Sequence, residues 1–310
     1  MRHKQMIFRN ADGTHNIHAQ IWLPDEDPKY IVQFVHGMNE YGARYIDFAH
    51  FLVSRGVAFA VHDQMGHGDT AADGGCLGVF GTADAWGNLQ QDIRNFSVLL
   101  KQKYHYCPVF LMGHSMGSFL ARCNMIKFND RYAGIALLST ASNPRLRYRH
   151  WQFVARKEKK RLGGDARSSR VQSACFGACV DAYPNEKCRN AWMCSDEQEC
   201  RAFFTDKQRG FLPTIDSFQA LFTGLLCMDK RSNYKKIRKD VPVFILGGTG
   251  DPAGRMGEAP KQVYKRMKQA GIADLRLKMY HDMRHDLLFE PDKKQVYADL
   301  WNWMEEKYKN

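Results

Sequence analysis

Residues 108–128 read Pro-Val-Phe-Leu-Met, then Gly-His-Ser-Met-Gly at 113–117, then Ser-Phe-Leu-Ala-Arg-Cys-Asn-Met-Ile-Lys-Phe. An apolar run of strand length enters a G-x-S-x-G, and the residues from Met116 onward continue as a helix. In a chain with 25 glycines the pattern alone is weak. Set between a buried strand and a helix, it describes a sharp turn that lifts a serine hydroxyl above the C-terminal edge of a sheet. Such a turn leaves room only for glycine beside the serine. It also aims the backbone N–H of Met116 at the oxygen of a bound acyl group. Ser115 is therefore the candidate nucleophile.

Outward from this point the chain repeats one rhythm. Short apolar runs occur at 31–35, 57–61, 108–112, 134–138, 241–246 and 275–279, and helix-length stretches at 43–55, 84–104, 116–128 and 259–271 separate most of them. Strands alternating with helices predict a mostly parallel sheet covered on both faces. Ahead of it, 5–9 and 17–23 read as strands joined around Ala11-Asp12-Gly13. From about Pro291 a last amphipathic helix places Val296, Leu300 and Trp303 on one side. The rhythm breaks between 144 and 218, which has no clear buried strand. A long insertion after a strand's C-terminal end is where such folds build a substrate-covering cap. The expected division is a core of 1–143 with 219–310, and a cap of 144–218.

A serine hydroxyl needs a histidine to take its proton, and an acid to orient that histidine. In this fold the order along the chain is Ser, then Asp or Glu, then His. Only His150, His281 and His285 follow Ser115. His150 falls in the insertion, and His281 abuts the strand at 275–279. His285 sits deeper in the following loop and is favoured as the base. The acid belongs on the loop after the preceding strand, where Val-Pro-Val-Phe-Ile-Leu-Gly-Gly runs into Thr249-Gly250-Asp251-Pro252; Asp251 is favoured, with Asp229 as the alternative. The strand at 31–35 leads into His36-Gly37-Met38, so the Met38 N–H suits the second donor of an oxyanion hole beside Met116 N–H.

The 310 residues carry 45 Lys and Arg against 33 Asp and Glu, a formal charge of +12. Residues 145–170 alone hold ten Lys or Arg and two acids, +8 of that total. The composition is that of a folded protein, and charge gathered in one segment, without a recognisable module, argues against a nucleic-acid partner. The run RYRHWQFVARKEKKR interleaves Tyr148, Trp151 and Phe153 with cations. It reads either as a solvated helix face or as an element in peripheral contact with an anionic membrane surface. No window approaches the ~18 apolar residues of a membrane span, and the start lacks a signal-like apolar segment, which predicts a cytoplasmic address. The nine cysteines are then expected to be mostly reduced. Five fall in the insertion, at 175, 179, 188, 194 and 200, without the paired C-x-x-C of a zinc site, so no metal is expected.

FVHGMNEYGARY (34–45), HDQMGHGDT (62–70), GHSMG (113–117), GGTGDPAGRMG (247–257) and YHDMRHD (280–286) together resemble the α/β-hydrolases, specifically the monoacylglycerol lipase and lysophospholipase-like branch. The resemblance covers nearly the whole chain and fades through 145–190. It implies the α/β-hydrolase fold with an inserted cap and a serine hydrolase of carboxylic esters acting on a small acyl-ester or lipid substrate without a cofactor. Ser115 would be the nucleophile, Asp251 the acid, His285 the base, and Met38 and Met116 the oxyanion donors. Asp63 and His67 read as scaffold. Thr70 stands where many relatives have Ser, and the basic, Cys-rich insertion leaves substrate choice open. The same triad would also serve a peptidase, thioesterase or acyltransferase. A reading of another class is a non-catalytic binding protein on a hydrolase scaffold; the intact Ser–Asp–His order argues against it.

Overall fold

The computed structural model describes residues 1–81, 84–105, 107–128, 130 and 132–309. The chain opens with the strands β1 (Arg2–Arg9), β2 (Asn16–Leu23) and β3 (Ile31–Val35), then α1 (Ile46–Val53), β4 (Ala58–His62), α2 (Gly68–Ala72) and α3 (Ala85–Lys103). Next come β5 (Val109–His114), α4 (Met116–Lys127) and β6 (Gly134–Leu138). A helical stretch follows, with α5 (Arg145–Leu162), α6 (Ser169–Val180), α7 (Glu197–Thr205), α8 (Ile215–Met228) and α9 (Arg231–Tyr234). The chain closes with β7 (Val243–Gly248), α10 (Glu258–Gln269), β8 (Leu275–Tyr280) and α11 (Lys293–Lys309).

All eight strands form one sheet in the order β1-β2-β4-β3-β5-β6-β7-β8. β1–β2 and β2–β4 pair antiparallel, and the strands from β4 to β8 are parallel. Because side chains alternate across a strand, each central strand feeds two cores. Val109, Leu111, Ile135, Leu137, Val243 and Ile245 face one core, with Leu89, Ile93 and Phe96 of α3 and Val263 of α10. Phe110, Met112, Ala136, Leu138, Phe244 and Leu246 face the other, with Phe48 and Leu52 of α1 and Leu300 and Trp303 of α11. Both sheet faces are therefore dry, and the strands read as unbroken apolar runs. On α11, Val296, Leu300 and Trp303 are buried together as their spacing predicts.

The stretch between β6 and β7 is helical throughout its regular elements. On α5 the buried positions are Tyr148, Trp151, Ala155 and Glu158, a stripe at helical spacing, while Phe153 and most of the cations face outward. The expected division between 218 and 219 falls inside α8, whose Phe218, Leu221 and Phe222 belong to the same apolar cluster as Trp151 of α5 and Trp86 of α3. Among the described residues, no helix is long and apolar enough to cross a membrane. The expectation of reduced thiols fails at one pair: Cys188 is disulfide-bonded to Cys200. The loop before α7 folds back so that the two Cα atoms lie 6.3 Å apart, within the span such a bond can bridge. The other seven cysteines are free.

Candidate active site

The loops leaving β3, β5, β7 and β8 meet at the C-terminal edge of the parallel sheet, the edge at which such sheets build their sites. Ser115 caps α4 with φ 50° and ψ −117°, a left-handed conformation that is costly for a side chain and pushes its hydroxyl out of the strand line. The backbone of α4 passes so close to β3 that a Cβ on Gly117 would lie 2.0 Å from the carbonyl oxygen of Val35. This is the physical reason for the second glycine of GHSMG. Met116 is the first residue of α4, so its N–H is among the amides for which the helix offers no acceptor.

Asp251 and His285 sit on adjacent loops that lie backbone to backbone. Gly250 N–H donates to Met283 O at 2.9 Å, and a Cβ on Gly248 would stand 1.9 Å from the same oxygen. The Ser115 hydroxyl lies 2.8 Å from His285 Nε2, and His285 Nδ1 lies 2.9 Å from Asp251 Oδ2. The other Asp251 oxygen, Oδ1, accepts the Ala253 N–H at 2.9 Å. His285 and Asp251 are buried and Ser115 is half-buried. Burial is the largest influence on the imidazole and disfavours its charged form. The neighbouring carboxylates of Asp251, Asp286 and Glu40 outweigh it and raise the His285 pKa above its ordinary value.

The other candidates fall elsewhere. His281 is 89% exposed at its side chain and pairs with Asp282. His150 is exposed on α5. Asp229 is held by Arg122 at 2.9 Å and Arg266 at 3.1 Å, and it accepts from Ser142, Tyr148 and Tyr234, so it ties α4, α5 and α9 together. Asp63 accepts the N–H groups of Gly42 and Asp69, and Thr70 donates to Asp63 O, so both brace the loop after β4. Burial lowers the His67 pKa to about 3, keeping it neutral.

A buried polar cluster behind Ser115 is absent from the sequence-based expectations. Glu40 Oε1 accepts from Gly37 N–H, from Tyr45 Oη–H at 2.8 Å and from His114 Nδ1 at 2.9 Å, while Oε2 pairs with Arg44 at 2.6 Å. Arg44 also pairs with Asp286 at 2.7 Å and lies over the Phe289 ring. Burial works against ionisation of Glu40, but His114 and Arg44 more than offset it and hold the carboxyl well below its usual range. The arrangement fixes the Gly37 amide and hence the segment leading to Met38. Its only trace in the sequence is that Glu40, Arg44 and Tyr45 share one short loop with the His-Gly pair.

Residues 181–196 cross over the two loops. Tyr183 Oη–H donates to Gly250 O at 2.6 Å, Arg284 donates to Ala191 O at 2.7 Å, and Asp286 N–H donates to Met193 O at 2.6 Å. The Trp192 ring lies 5.3 Å from that of His285. Beneath this segment a cavity of about 790 Å³ opens over Ser115. Met38, Phe119, Trp151, Phe176, Leu221 and Leu225 supply much of its apolar wall. A hydroxyl hydrogen-bonded to an oriented imidazole, beneath a cavity that Met38 and Met116 also line, has the arrangement that attack on an acyl carbon requires.

Sheet order and site position together define an α/β-hydrolase. Residues 26–292 match the Hydrolase_4 family, described as "Serine aminopeptidase, S33", and the chain belongs to that family. It is 27% identical over 302 residues to the monoglyceride lipase homolog of Monkeypox virus, covering 95% of this chain and 96% of that one. Its match to human monoglyceride lipase, 28% identical over 130 residues, spans 42% of this chain and 41% of the human protein. A thermostable carboxyl esterase from Bacillus coagulans, solved with glycerol, shares the fold with a TM-score of 0.92 at 24% identity, covering 99% of both chains.

Proposed function

We propose that the protein hydrolyses carboxylic esters of the monoacylglycerol or lysophospholipid class through an acyl-enzyme on Ser115. The observation that carries the reading is the chain Ser115–His285–Asp251, at 2.8 and 2.9 Å, at the floor of a largely apolar cavity. Ser115 Oγ attacks the ester carbonyl carbon while its proton passes to His285 Nε2. Asp251 stabilises the imidazolium that forms. The N–H groups of Met38 and Met116 receive the oxyanion. Collapse expels the alcohol, which takes the proton from His285. Water then attacks the acyl carbon with His285 as base, releasing the carboxylic acid and regenerating Ser115. The segment 144–218 acts as the cap that shapes the acyl pocket, and the outward cations and Phe153 of α5 make peripheral contact with anionic lipid. The similarity over nearly the whole chain to a monoglyceride lipase homolog, and over 42% of it to human monoglyceride lipase, supports the substrate class.

The family description also favours attention to a peptidase reading. An aminopeptidase needs a free carboxylate to receive the substrate's amino group. Three acids border the cavity: Glu40 and Asp286 are committed to Arg44, which leaves the exposed Asp181 as the one carboxylate that could receive an amino group. The test is a panel of monoacylglycerols, lysophospholipids, p-nitrophenyl esters and aminoacyl amides, together with fluorophosphonate labelling of wild type and Ser115→Ala. Ester turnover and labelling are expected for wild type and neither for the variant, with an unchanged circular dichroism spectrum. Labelling that survives in Ser115→Ala refutes the nucleophile.

A further inference from the structure

Two arginines at the mouth of the cavity have no role in the chemistry above. Arg147, in the first turn of α5, and Arg189, in the segment that crosses the site, both line the cavity that holds Ser115, and both are exposed. Arg147 donates to the neutral Oδ1 of Asn143 at 3.2 Å, and among the described residues neither arginine is paired with a carboxylate. Other arginines around the site differ in this respect: Arg44 holds Glu40 and Asp286, Arg209 holds Glu199, and Arg284 holds Glu186. Gln172, Ser173 and Asn190 add neutral hydrogen-bonding groups to the same lining, and the exposed Asp181 is its one acid outside the Arg44 cluster.

The cavity is therefore divided by chemistry. Its inner wall is apolar and buried under α4, α5 and α8, where Trp151, Leu221 and Leu225 lie. An acyl chain gains most by entering there. The alcohol part of the ester then points to the mouth, where two uncompensated guanidinium groups and several amides wait. Guanidinium is the side chain best matched to phosphate, through paired N–H donors and a permanent charge.

Resting on the ester-hydrolase reading, we infer that Arg147 and Arg189 form a subsite for an anionic phosphate on the alcohol moiety, so that the preferred substrate is a monoacyl glycerol phosphate rather than a neutral monoacylglycerol. The source of the phosphate is the substrate itself and not a membrane surface, and water-soluble substrates separate the two. The test compares hexanoyl glycerol, hexanoyl glycerol 3-phosphate and hexanoyl glycerophosphocholine, all kept monomeric. For wild type, kcat/KM for the phosphate monoester is expected to exceed that for the neutral ester by about tenfold, equivalent to ~1.4 kcal/mol, with the choline ester between them. In Arg147→Gln/Arg189→Gln that ratio should fall to about one, chiefly through KM, and added salt should lower it in wild type. A wild-type ratio at or below one, or a ratio untouched by the double substitution, overturns the inference.

Binding of glycerol 3-phosphate to the Ser115→Ala protein, followed by calorimetry against the same protein carrying both Gln substitutions, gives a readout without turnover. Saturable binding that the two substitutions abolish supports the subsite, and equal binding or none overturns it. If no ester of any kind is cleaved, the hydrolase reading fails while this titration still decides the anion subsite.

Discussion

Replacing Asp251 by Asn tests the chemistry more sharply than removing it, because the structure dictates how the amide must sit. Oδ1 of Asp251 accepts the Ala253 N–H at 2.9 Å, so the amide oxygen of an asparagine has to take that place. Its NH2 group then replaces Oδ2, which lies 2.9 Å from His285 Nδ1. Two donors cannot face each other, so the imidazole must present its lone pair at Nδ1 and carry its hydrogen on Nε2. The 2.8 Å contact with Ser115 would then run the wrong way, with the ring donating to the hydroxyl it should deprotonate.

Loss of the correct tautomer in an otherwise intact triad typically costs ~10⁴ in kcat, about 5.5 kcal/mol of barrier. We expect Asp251→Asn to lower kcat on a short-chain ester by that order while KM changes little, since the substitution is nearly isosteric and lies outside the acyl pocket. The pH dependence supplies a second readout. Burial lowers the His285 pKa and the carboxylates raise it, with Asp251 the strongest of them. Without the Asp251 charge the balance tips toward burial, so the acid limb of kcat/KM should move to lower pH in the residual activity. Stopped assays across pH 5–9, with thermal melts to show an intact fold, measure both. Activity within about tenfold of wild type, or an acid limb that stays in place, would refute the reasoning.

Asp92 on α3 makes a prediction about stability. It is buried and accepts Ala11 N–H on one oxygen only, and burial, aided by the Asp12 charge, pushes its pKa up to about 7. A folded-state pKa above the unfolded one stabilises below the unfolded value, and that stability is lost as pH rises toward 7. Asp92→Asn should therefore gain on wild type between about pH 4 and 7, by on the order of 3 kcal/mol, in urea unfolding; a constant difference would refute the assignment. For the membrane contact, reversing Arg156, Lys157, Lys159, Lys160 and Arg161 to Glu should abolish low-salt co-sedimentation with anionic vesicles. It should leave kcat on a soluble ester nearly constant; wild type that does not bind at low salt retires the contact.

Much of the sheet was legible because its strands are buried on both faces and appear as short apolar runs. The positions of Ser115, Asp251 and His285 were legible because each follows such a run and the chain order left few alternatives. What escaped was non-local. Glu40, His114, Arg44 and Asp286 come from three separate segments, and nothing in linear spacing reveals that one carboxylate holds an arginine, a histidine, a tyrosine and an amide together. The Cys188–Cys200 bridge is similar: its spacing fits no metal knuckle, and only the fold-back before α7 brings the sulfurs together. The boundary at 218 rests on the break in the strand–helix rhythm over 144–218, and it falls inside α8, a helix that packs on both the insertion and the core.

The contacts of residues 181–196 constrain how the insertion can move. Tyr183 holds the carbonyl just before Asp251, Arg284 just before His285 reaches Ala191, and the Asp286 amide just after it donates to Met193. Ser195 adds a bond from its backbone N–H to Glu290 at 3.1 Å, on the same loop. At roughly 1 kcal/mol each, these four bonds make outward swinging of the segment costly, and it would loosen the two loops that carry Asp251 and His285. The Cys188–Cys200 bond joins the segment to α7, where Glu199 pairs with Arg44 at 3.2 Å. This part of the insertion is therefore continuous with the loops bearing Asp251 and His285 rather than hinged against them. On the ester-hydrolase proposal, substrate access then falls to the other part of the insertion, where Leu146 and Phe153 of α5 lie exposed. An acyl chain entering from that side would leave the Ser115–His285–Asp251 hydrogen bonds assembled.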